Sequence, residues 1–448
     1  MLFVVPACIF NAKSAKSAKK ANSEKSFRNF HCFRTFRIKN TIFVATVSIN
    51  LCIAAKTRIN VTMLRLGVFL TIVILTILGC CLPQFAAYPV AASPLVALAA
   101  LFGGQRAFAL FVALLLAAPC IVKRRFFCRL FCPLGFCFDV IGNIRKRATG
   151  SNLLPRLLRD FPNIGIFLML WTLFGCGIGV VGFLWLDPLV LFGSPFRNGV
   201  WLWVVLLAVL ALALFAPTLW CRAICPLGGV QDVLSIPKSL TSKPPFVVHS
   251  EQRRRLCQWV LFLVLFGGMF EYVRRRTSAL AANAPLRPPG AVAEPRFLAL
   301  CTRCGTCMQV CPANLLTTNT ENASLLDWGT PHINYDPAWC HDDCHACTQV
   351  CPSGALRPID LDKKRDTKMG LAVFDFESCR LYEDIECSLC GRSCPVEAIS
   401  YQWSEAEYRR IVQIDAERCT GCGRCLVSCP IKGTQRPLDV KSVTGRND

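Results

Sequence analysis

The sequence predicts a chain in two parts: an α-helical membrane bundle of about five spans, followed by an α+β domain organised around four cysteine motifs. Three observations lead to this prediction. Hydrophobic residues make up 53% of the 448 residues, and the mean hydropathy is +0.43. Five apolar runs come near the roughly 20 residues that a helix needs to cross a hydrocarbon core. Sixteen of the 29 cysteines fall into four motifs that each end in Cys-Pro.

The net charge of +22 is spread unevenly along the chain. Residues 1–62 carry 11 Lys or Arg and one acid, residues 63–296 carry 23 and seven, and residues 297–448 carry 16 and 20. The basic excess therefore lies outside the cysteine-rich part. Many of these basic residues flank apolar runs, which is typical of the cytoplasmic ends of membrane helices. We therefore expect the membrane as a partner and no nucleic acid.

Residues 1–62 differ in composition from the rest of the chain. A Lys/Ser/Ala stretch is followed by aromatic residues that alternate with Arg, and the apolar run Thr41–Ala55 is short for a membrane span. We predict a basic, disordered N-terminal arm, or sequence upstream of a natural start at Met63. The alternative is a targeting or membrane-surface arm.

Residues 63–280 are predicted to form the membrane domain. Basic loops follow the second span and separate the fourth span from the fifth, so both loops are expected in the cytoplasm. The fifth span then carries the chain outward, although Arg274–Arg276 at its far end favour retention inside. We therefore predict a multi-pass protein of the cell inner (cytoplasmic) membrane, with a Pro/Ala linker at residues 281–296 and residues 297–448 on the periplasmic side. The five predicted spans are Leu66–Leu82, Ala107–Val122, Asn163–Leu186, Val200–Leu219 and Leu256–Val273.

The four cysteine motifs have the spacing of iron–sulfur ligands. Motifs one and four read Cys-x2-Cys-x2-Cys-x3-Cys-Pro, as in bacterial ferredoxins, whereas motifs two and three have a longer first gap. Zinc sites use two pairs of ligands rather than a trio followed by Cys-Pro, and c-type haem attachment needs two residues between its cysteines, where Cys340 and Cys344 have three. We therefore predict four [4Fe–4S] clusters in a ferredoxin-like α+β domain, with strands at Ala372–Phe376 and Ile411–Ile414. The sixteen predicted ligands are Cys301, Cys304, Cys307, Cys311, Cys340, Cys344, Cys347, Cys351, Cys379, Cys387, Cys390, Cys394, Cys419, Cys422, Cys425 and Cys429.

The motifs are expected to act in pairs. In two-cluster ferredoxins the fourth cysteine of one motif ligates the cluster held by the other motif. Motifs one and four have identical spacing, and motifs two and three share an irregular first gap, so we predict the pairs one–four and two–three. Cys429 would then complete the trio that begins at Cys301, and Cys394 would complete the trio that begins at Cys340.

A second repeat lies in the predicted membrane domain. The sequence Cys-Arg-x2-Cys-Pro-Leu-Gly follows both the second and the fourth span, with an offset of 93 residues. Cysteines in loops at a membrane edge gain little from burial, so we interpret the four of them as candidate ligands of one or two further clusters. The alternative is a structural repeat whose cysteines bind nothing. The four residues are Cys128, Cys132, Cys221 and Cys225.

The two halves resemble two known families. The repeated loops, Trp185–Pro188 and the Trp220-Cys221 pair resemble the NapH/MauN family of polytopic membrane ferredoxins. Arg287–Ala291, Phe297 and the four motifs resemble the NapG/MauM family of extracytoplasmic carriers of four [4Fe–4S] clusters. The chain therefore resembles a fusion of two partners. Members of the NapG family carry a twin-arginine export signal, which Arg253–Arg255 match only in part.

The resemblance implies a relay of electrons from quinol to an extracytoplasmic redox protein or cytochrome of a nitrate-reductase-type or methylamine-dehydrogenase-type system. No catalytic residues are predicted, because no paired carboxylates, nucleophile–base set or phosphate loop stands out. The chain is thus expected to be an electron carrier, at most a component of a quinol dehydrogenase without bond chemistry of its own. Two alternatives use the same cysteines: a ferredoxin that supplies electrons for maturation of another metalloprotein, and a redox-sensing regulator.

Overall fold

The structure is a computed structural model of the chain. The chain divides into two units, and the second, Arg65–Asp448, contains nearly all of the described residues. The predicted N-terminal arm lies almost wholly outside the described residues. These residues are 61–81, 87–104, 111, 115, 118–121, 125–149, 163–197, 200–216, 219–235, 249–282, 284–318, 324, 326–383, 385–405 and 408–442.

The first part of the chain is helical, and most of its helices are short. Asp187 begins one of them by accepting a hydrogen bond from the backbone N–H of Leu189, and Gly179, in the left-handed region at φ 77°, ends another. The helices of this helical half are α1 Val61–Cys81, α2 Ala87–Ala91, α3 Pro94–Phe102, α4 Phe126–Leu130, α5 Pro133–Thr149, α6 Ile164–Ile178, α7 Pro188–Gly193, α8 Val200–Phe215, α9 Pro226–Leu234 and α10 His249–Ala282.

The predicted five-span membrane bundle is wrong. Across the described ranges, the structure contains no helix whose length and apolar character would let it cross a membrane. The predicted third span ends early, because Gly179 stops α6 after 15 residues, and the predicted fourth span yields only the 16 residues of α8. The predicted multi-pass location in the inner membrane, which depended on these spans, is wrong for the same reason.

The apolar residues that suggested membrane spans contribute to an internal core. Leu95, Cys176 and Leu202 are fully buried and belong to the same hydrophobic cluster as Phe297 and Leu300, which lie in the cysteine-rich part. The apolar residues of the predicted spans are thus divided between a packed interior that the two halves share and exposed side chains such as Ile77, Phe174 and Val204.

The cysteine-rich part consists of short helices and three two-stranded antiparallel sheets. Its helices are α11 Glu294–Leu300, α12 Thr306–Gln309, α13 Ala346–Gln349, α14 Leu361–Asp366, α15 Leu389–Ser393 and α16 Arg424–Ser428. Its strands are β1 Leu316–Thr318, β2 Pro331–Ile333, β3 Leu371–Phe374, β4 Ile399–Ser404, β5 Arg409–Ile414 and β6 Leu438–Lys441.

Two of these strands were expected from the sequence. The apolar segments Ala372–Phe376 and Ile411–Ile414 fall in β3 and β5, which confirms them as strands. β3 pairs with β6, the last described strand, with Ala372 opposite Val440. β4 pairs with β5 as a hairpin. Cysteine motif four, which lies between β5 and β6 in the chain, is therefore held close to both sheets.

The predicted Pro/Ala linker begins with a buried arginine. Arg287, only 2% exposed, forms ion pairs with Glu294 at 2.6 Å and Asp327 at 2.7 Å. Its guanidinium lies 4.6 Å from the centre of the Phe297 ring. Ala291 forms a β-bridge with Leu356. This segment is thus fixed to the cysteine-rich part, while the predicted domain boundaries stay predictions.

Candidate iron–sulfur centres

Each cysteine motif combines a tight loop with one short helix. Gly305 and Gly423 have φ angles of 74° and 79°, a conformation that glycine adopts without strain, and each precedes the helix that carries the third cysteine of its motif. These helices are α12, with Cys307, and α16, with Cys425. The first three cysteines lie in the loop and at the start of the helix, and the fourth cysteine follows the end of the helix.

The first set of cysteines combines motif one with the last cysteine of motif two. The pKa of the Cys301 thiol is raised to about 12, mainly by burial, and the nearby Cys304 and Cys351 thiols contribute to this shift. The pKa of Cys307 is raised by burial and by Cys304, Cys301 and Cys351. Cysteine site 1 is therefore Cys301, Cys304, Cys307 and Cys351.

The second set surrounds a cavity. Cys311, the last cysteine of motif one, lines this cavity together with the three leading cysteines of motif two, and the other walls are mainly apolar residues such as Pro288, Leu315 and Ile333. The pKa of Cys340 is raised to about 11, mainly by burial; Lys364 opposes the shift, and nearby Cys344 and Cys311 contribute to it. Cysteine site 2 is Cys311, Cys340, Cys344 and Cys347.

The third set surrounds a cavity of the same kind. Val396, Ala398 and Val440 form apolar walls around Cys394, the last cysteine of motif three, and the three leading cysteines of motif four. Burial raises the pKa of Cys425 to about 12, with further contributions from neighbouring thiols, among them Cys394. Cysteine site 3 is Cys394, Cys419, Cys422 and Cys425.

The fourth set combines motif three with the last cysteine of motif four. The pKa of Cys379 is raised by burial and by the thiols of Cys390, Cys387 and Cys429. The hydroxyl of Tyr401 lies 3.1 Å from the Cys390 sulfur and accepts a hydrogen bond from the backbone N–H of Gly391. Cysteine site 4 is Cys379, Cys387, Cys390 and Cys429.

The predicted pairing of motifs one–four and two–three is wrong. The structure pairs motif one with motif two and motif three with motif four, with the fourth cysteines exchanged within each pair. Helix α12 packs beside α13, and α15 packs beside α16, so motifs that are neighbours in the chain become neighbours in space. Similar spacing carries no information about pairing, because each motif forms its loop independently of its partner.

The repeated loops of the helical half meet in a fifth set. The Cys132 thiol lies within electrostatic reach of Cys128, Cys221 and Cys225, and burial raises its pKa well above the usual value. Burial also raises the pKa of Cys128 to about 11. Although the two loops lie 93 residues apart in the chain, they bring four thiols to one place. The helical site is Cys128, Cys132, Cys221 and Cys225.

Polar side chains surround the helical site, and the sequence analysis did not identify them. Arg125 pairs with Asp232 at 2.5 Å and lies near Cys128 and Cys221. Asn163 donates a hydrogen bond to the same aspartate at 3.0 Å. A signal was present in the sequence: each Cys-Pro-Leu-Gly is followed by an aspartate seven residues after its cysteine, Asp139 in the first repeat and Asp232 in the second.

Two cysteines outside the five sets have different surroundings. Cys176 is fully buried, its pKa is raised to about 12 mainly by burial, and its sulfur lies 3.5 Å from the backbone oxygen of Ala299. Cys176 thus has the surroundings of a small core residue. Cys120 is buried within electrostatic reach of Cys128.

Sites 2 and 3 suit iron–sulfur clusters by their chemistry. In the described part of the chain, no three His, Cys, Asp or Glu side chains form a group that could hold a single metal ion. A single ion requires its ligands to converge on one point about 2.3 Å from each sulfur, whereas a [4Fe–4S] cluster binds each cysteine through a different iron. Sites 2 and 3 fit the second arrangement, because in each of them four cysteines line the wall of one largely apolar cavity.

Protein-family models match both halves of the chain. A 4Fe-4S dicluster domain matches residues 300–355, which contain motifs one and two, and residues 385–432, which contain motif four and motif three apart from Cys379. A 4Fe-4S binding domain matches residues 104–152 and 198–244, which contain the two repeated loops of the helical half. These matches support [4Fe–4S] cofactors for the chain.

Curated relatives match about a third of the chain. The methylamine utilization ferredoxin-type protein MauM of Methylobacillus flagellatus is 36% identical over 179 residues, which are 37% of this chain and 73% of that protein. MauM of Methylophilus methylotrophus is 39% identical over 161 residues, 33% of this chain and 67% of the relative. The ferredoxin-type protein NapG of Escherichia coli is 36% identical over 169 residues, 35% of this chain and 71% of that protein.

These comparisons do not support a fusion with a NapH/MauN-type membrane partner. No solved structure matches the chain. The extent of the match to MauM and NapG, which covers about seven-tenths of their length, shows that this chain belongs to the MauM/NapG family of ferredoxin-type iron–sulfur proteins.

Proposed function

We propose that the chain is an electron carrier with five [4Fe–4S] clusters, one in each of the four cysteine sites and one in the helical site. One observation carries the proposal: each of the five sets of four cysteines is built from two separate segments of the chain. A bound [4Fe–4S] cluster gains or loses an electron without making or breaking bonds in a substrate. The task of the chain is then to hold the clusters in a row and keep water away from them.

Several contacts support a continuous row. Asp187, the residue before α7, lies within electrostatic reach of Cys225 in the helical site. Val190, in the same helix, packs in one small apolar cluster with Cys304 of site 1. Helix α7 therefore connects the helical site to site 1. Sites 1 and 2 are adjacent, because Cys307 and Cys347 interact electrostatically.

A backbone hydrogen bond connects the two motif pairs. The N–H of Cys340 in site 2 donates to the carbonyl oxygen of Cys422 in site 3, at 2.9 Å. Tyr335 is buried beside this junction, and its hydroxyl donates to the carbonyl oxygen of Gly421. Sites 3 and 4 follow, because Cys390 lies within electrostatic reach of Cys425. The proposed order is thus helical site, site 1, site 2, site 3 and site 4.

We further propose quinol as the electron donor and a redox protein or cytochrome of a nitrate-reductase-type or methylamine-dehydrogenase-type system as the acceptor. The support for the acceptor is the similarity to the methylamine utilization proteins and to NapG. Anaerobic addition of duroquinol should bleach the visible iron–sulfur absorbance. If dithionite bleaches it and duroquinol does not, quinol is the wrong donor.

The number of clusters is tested by iron and sulfide analysis of the anaerobically purified chain. Five clusters require about twenty iron atoms per chain, four for each cluster. Cys221→Ser should lower the iron content by about four atoms and leave sites 1 to 4 loaded. Cys176→Ser is the matched control, because Cys176 is a buried cysteine outside the five sets, and the iron content should not change. A content near sixteen that Cys221→Ser does not alter would remove the helical site from the proposal.

A further inference from the structure

Gln231 is a buried side chain in contact with a ligand of the helical site. Its carboxamide is 1% exposed and donates from Nε2 to the sulfur of Cys128 at 2.9 Å. The amide oxygen accepts a hydrogen bond from the backbone N–H of Cys128 at 3.4 Å and lies 3.8 Å from the Cys120 sulfur. These three contacts fix the orientation of the amide, so that its N–H group points at the sulfur.

The two repeats of the helical site differ at this position. Gln231 lies six residues after Cys225, and the corresponding residue of the first repeat is Phe138, which is buried and has no hydrogen-bonding group. The backbone donors, in contrast, are alike in both repeats: Gly135 donates to the Cys132 sulfur at 3.3 Å, and Gly228 is hydrogen-bonded to Cys225. The two repeats thus share their backbone hydrogen bonds, and Gln231 adds a side-chain hydrogen bond that Phe138 cannot make.

The neighbouring charges do not replace this donor. Arg125 lies near Cys128, but its guanidinium donates two hydrogen bonds to the Asp232 carboxylate, at 3.0 and 2.5 Å. Asp232 also accepts a hydrogen bond from Asn163. The ion pair thus places a negative charge beside the positive one. Gln231 brings a donor to the sulfur without a compensating anion.

We propose that Gln231 is a positioning residue that raises the reduction potential of the cluster held by the helical site. The inference rests on the proposed fifth cluster. A hydrogen bond to a cysteine sulfur stabilises the reduced cluster, which carries one more negative charge, more than the oxidised cluster. The reduced form is therefore favoured, and the site accepts an electron more readily from its donor.

The test is a redox titration of the anaerobically purified full chain, followed by EPR. The signal of the helical site is the one that Cys221→Ser removes. Gln231→Met keeps the length of the side chain and removes the donor, so the midpoint potential of this signal should shift downward. Phe138→Leu, at the matching position of the first repeat, should leave the potential unchanged. An unchanged potential in loaded Gln231→Met protein would overturn the inference.

A second measurement covers the case in which Gln231→Met fails to fold or load. The unmodified chain, labelled with ¹⁵N in its glutamine side chains, should show a nitrogen hyperfine coupling in the pulsed EPR spectrum of the same signal. Absence of that coupling would also overturn the inference. If the unmodified chain has no signal that depends on Cys221, the proposed fifth cluster fails instead, and the two failures are therefore distinguishable.

Discussion

The helical half and the cysteine-rich half hold their cysteines in different ways. In the helical site, Cys128, Cys132 and Cys225 are buried in a core of large apolar side chains. In the cysteine-rich half, 12 of the 16 motif cysteines are only half-buried, and the described helices from α12 onward have four to six residues. The helical site thus lies in the larger apolar cluster, which the two halves share, whereas sites 2 and 3 border a smaller apolar cluster within the cysteine-rich half.

Removal of iron is expected to cause the largest difference in unfolding between the two halves. Metal binding supplies folding free energy where little apolar core exists, so an iron chelator under reducing conditions should unfold sites 1 to 4 together with their sheets. The helical half should keep its helices, because Leu95, Leu202 and Leu227 are buried without any metal. Far-UV circular dichroism and limited proteolysis of the full chain would measure this. Loss of all helical signal in one step would contradict the difference between the halves.

Features that depend on local sequence patterns could be predicted, and features that depend on long-range packing could not. The sixteen motif cysteines and strands β3 and β5 were recognisable because spacing and alternation are local properties. The motif pairing was not recognisable, because it depends on which loops pack together, and no residue within a motif encodes that. The membrane prediction was wrong because mean hydropathy does not distinguish a lipid-facing helix from a helix such as α6 or α8, which packs one face in the protein core and leaves other apolar side chains exposed.

Arg287 tests how much a buried ion-pair cluster stabilises the start of the cysteine-rich half. The residue lies at the entrance to the cysteine-rich half, forms ion pairs with Glu294 and Asp327, and stacks on Phe297 of the shared core. Arg287→Met leaves two carboxylates without their cation, so we expect a loss of about 3–5 kcal/mol in the free energy of unfolding. The control Arg365→Met removes an exposed ion pair, 3.9 Å from Asp362, and should cost less than about 1 kcal/mol. If both substitutions lower the free energy of unfolding equally in denaturant titrations, the buried ion pairs contribute no more to stability than an exposed one.

Asp187 makes the stability of the helical half depend on pH. The carboxyl is fully buried, and burial raises its pKa from 3.8 to about 6, against the opposing effect of hydrogen bonds from Ser93 and from the backbone. The folded pKa lies above the unfolded one, so folding favours the protonated acid. Its contribution to stability is therefore largest below pH 4 and is lost as the pH rises to 6, a change of up to about 3 kcal/mol.

Asp187→Asn should remove this pH dependence, because the amide cannot ionise. Unfolding monitored by tryptophan fluorescence at several pH values between 4 and 7 would measure the difference between the two chains. Ser93→Ala supplies the control: it removes a hydrogen bond to the Asp187 carboxyl but leaves the ionisable group in place, so a dependence on pH should remain. If Asp187→Asn has the same slope with pH as the unsubstituted chain, the effect is not due to Asp187.

Tyr335 gives the smallest effect and concerns the junction inside the cysteine-rich half. Its ring packs against Gly423, where an added Cβ would lie 2.1 Å from a ring carbon, and its hydroxyl donates to the carbonyl oxygen of Gly421. Tyr335→Phe keeps the ring and removes the hydroxyl, which should cost about 1 kcal/mol for a buried hydrogen bond. Tyr408→Phe, at a side chain that is 81% exposed, is the control and should cost almost nothing.

With the clusters loaded, the two variants can be compared by their thermal midpoints. If clusters alone held sites 2 and 3 together, Tyr335→Phe would melt at the same temperature as Tyr408→Phe. A lower midpoint for Tyr335→Phe would mean that protein packing also contributes at the junction between the two motif pairs.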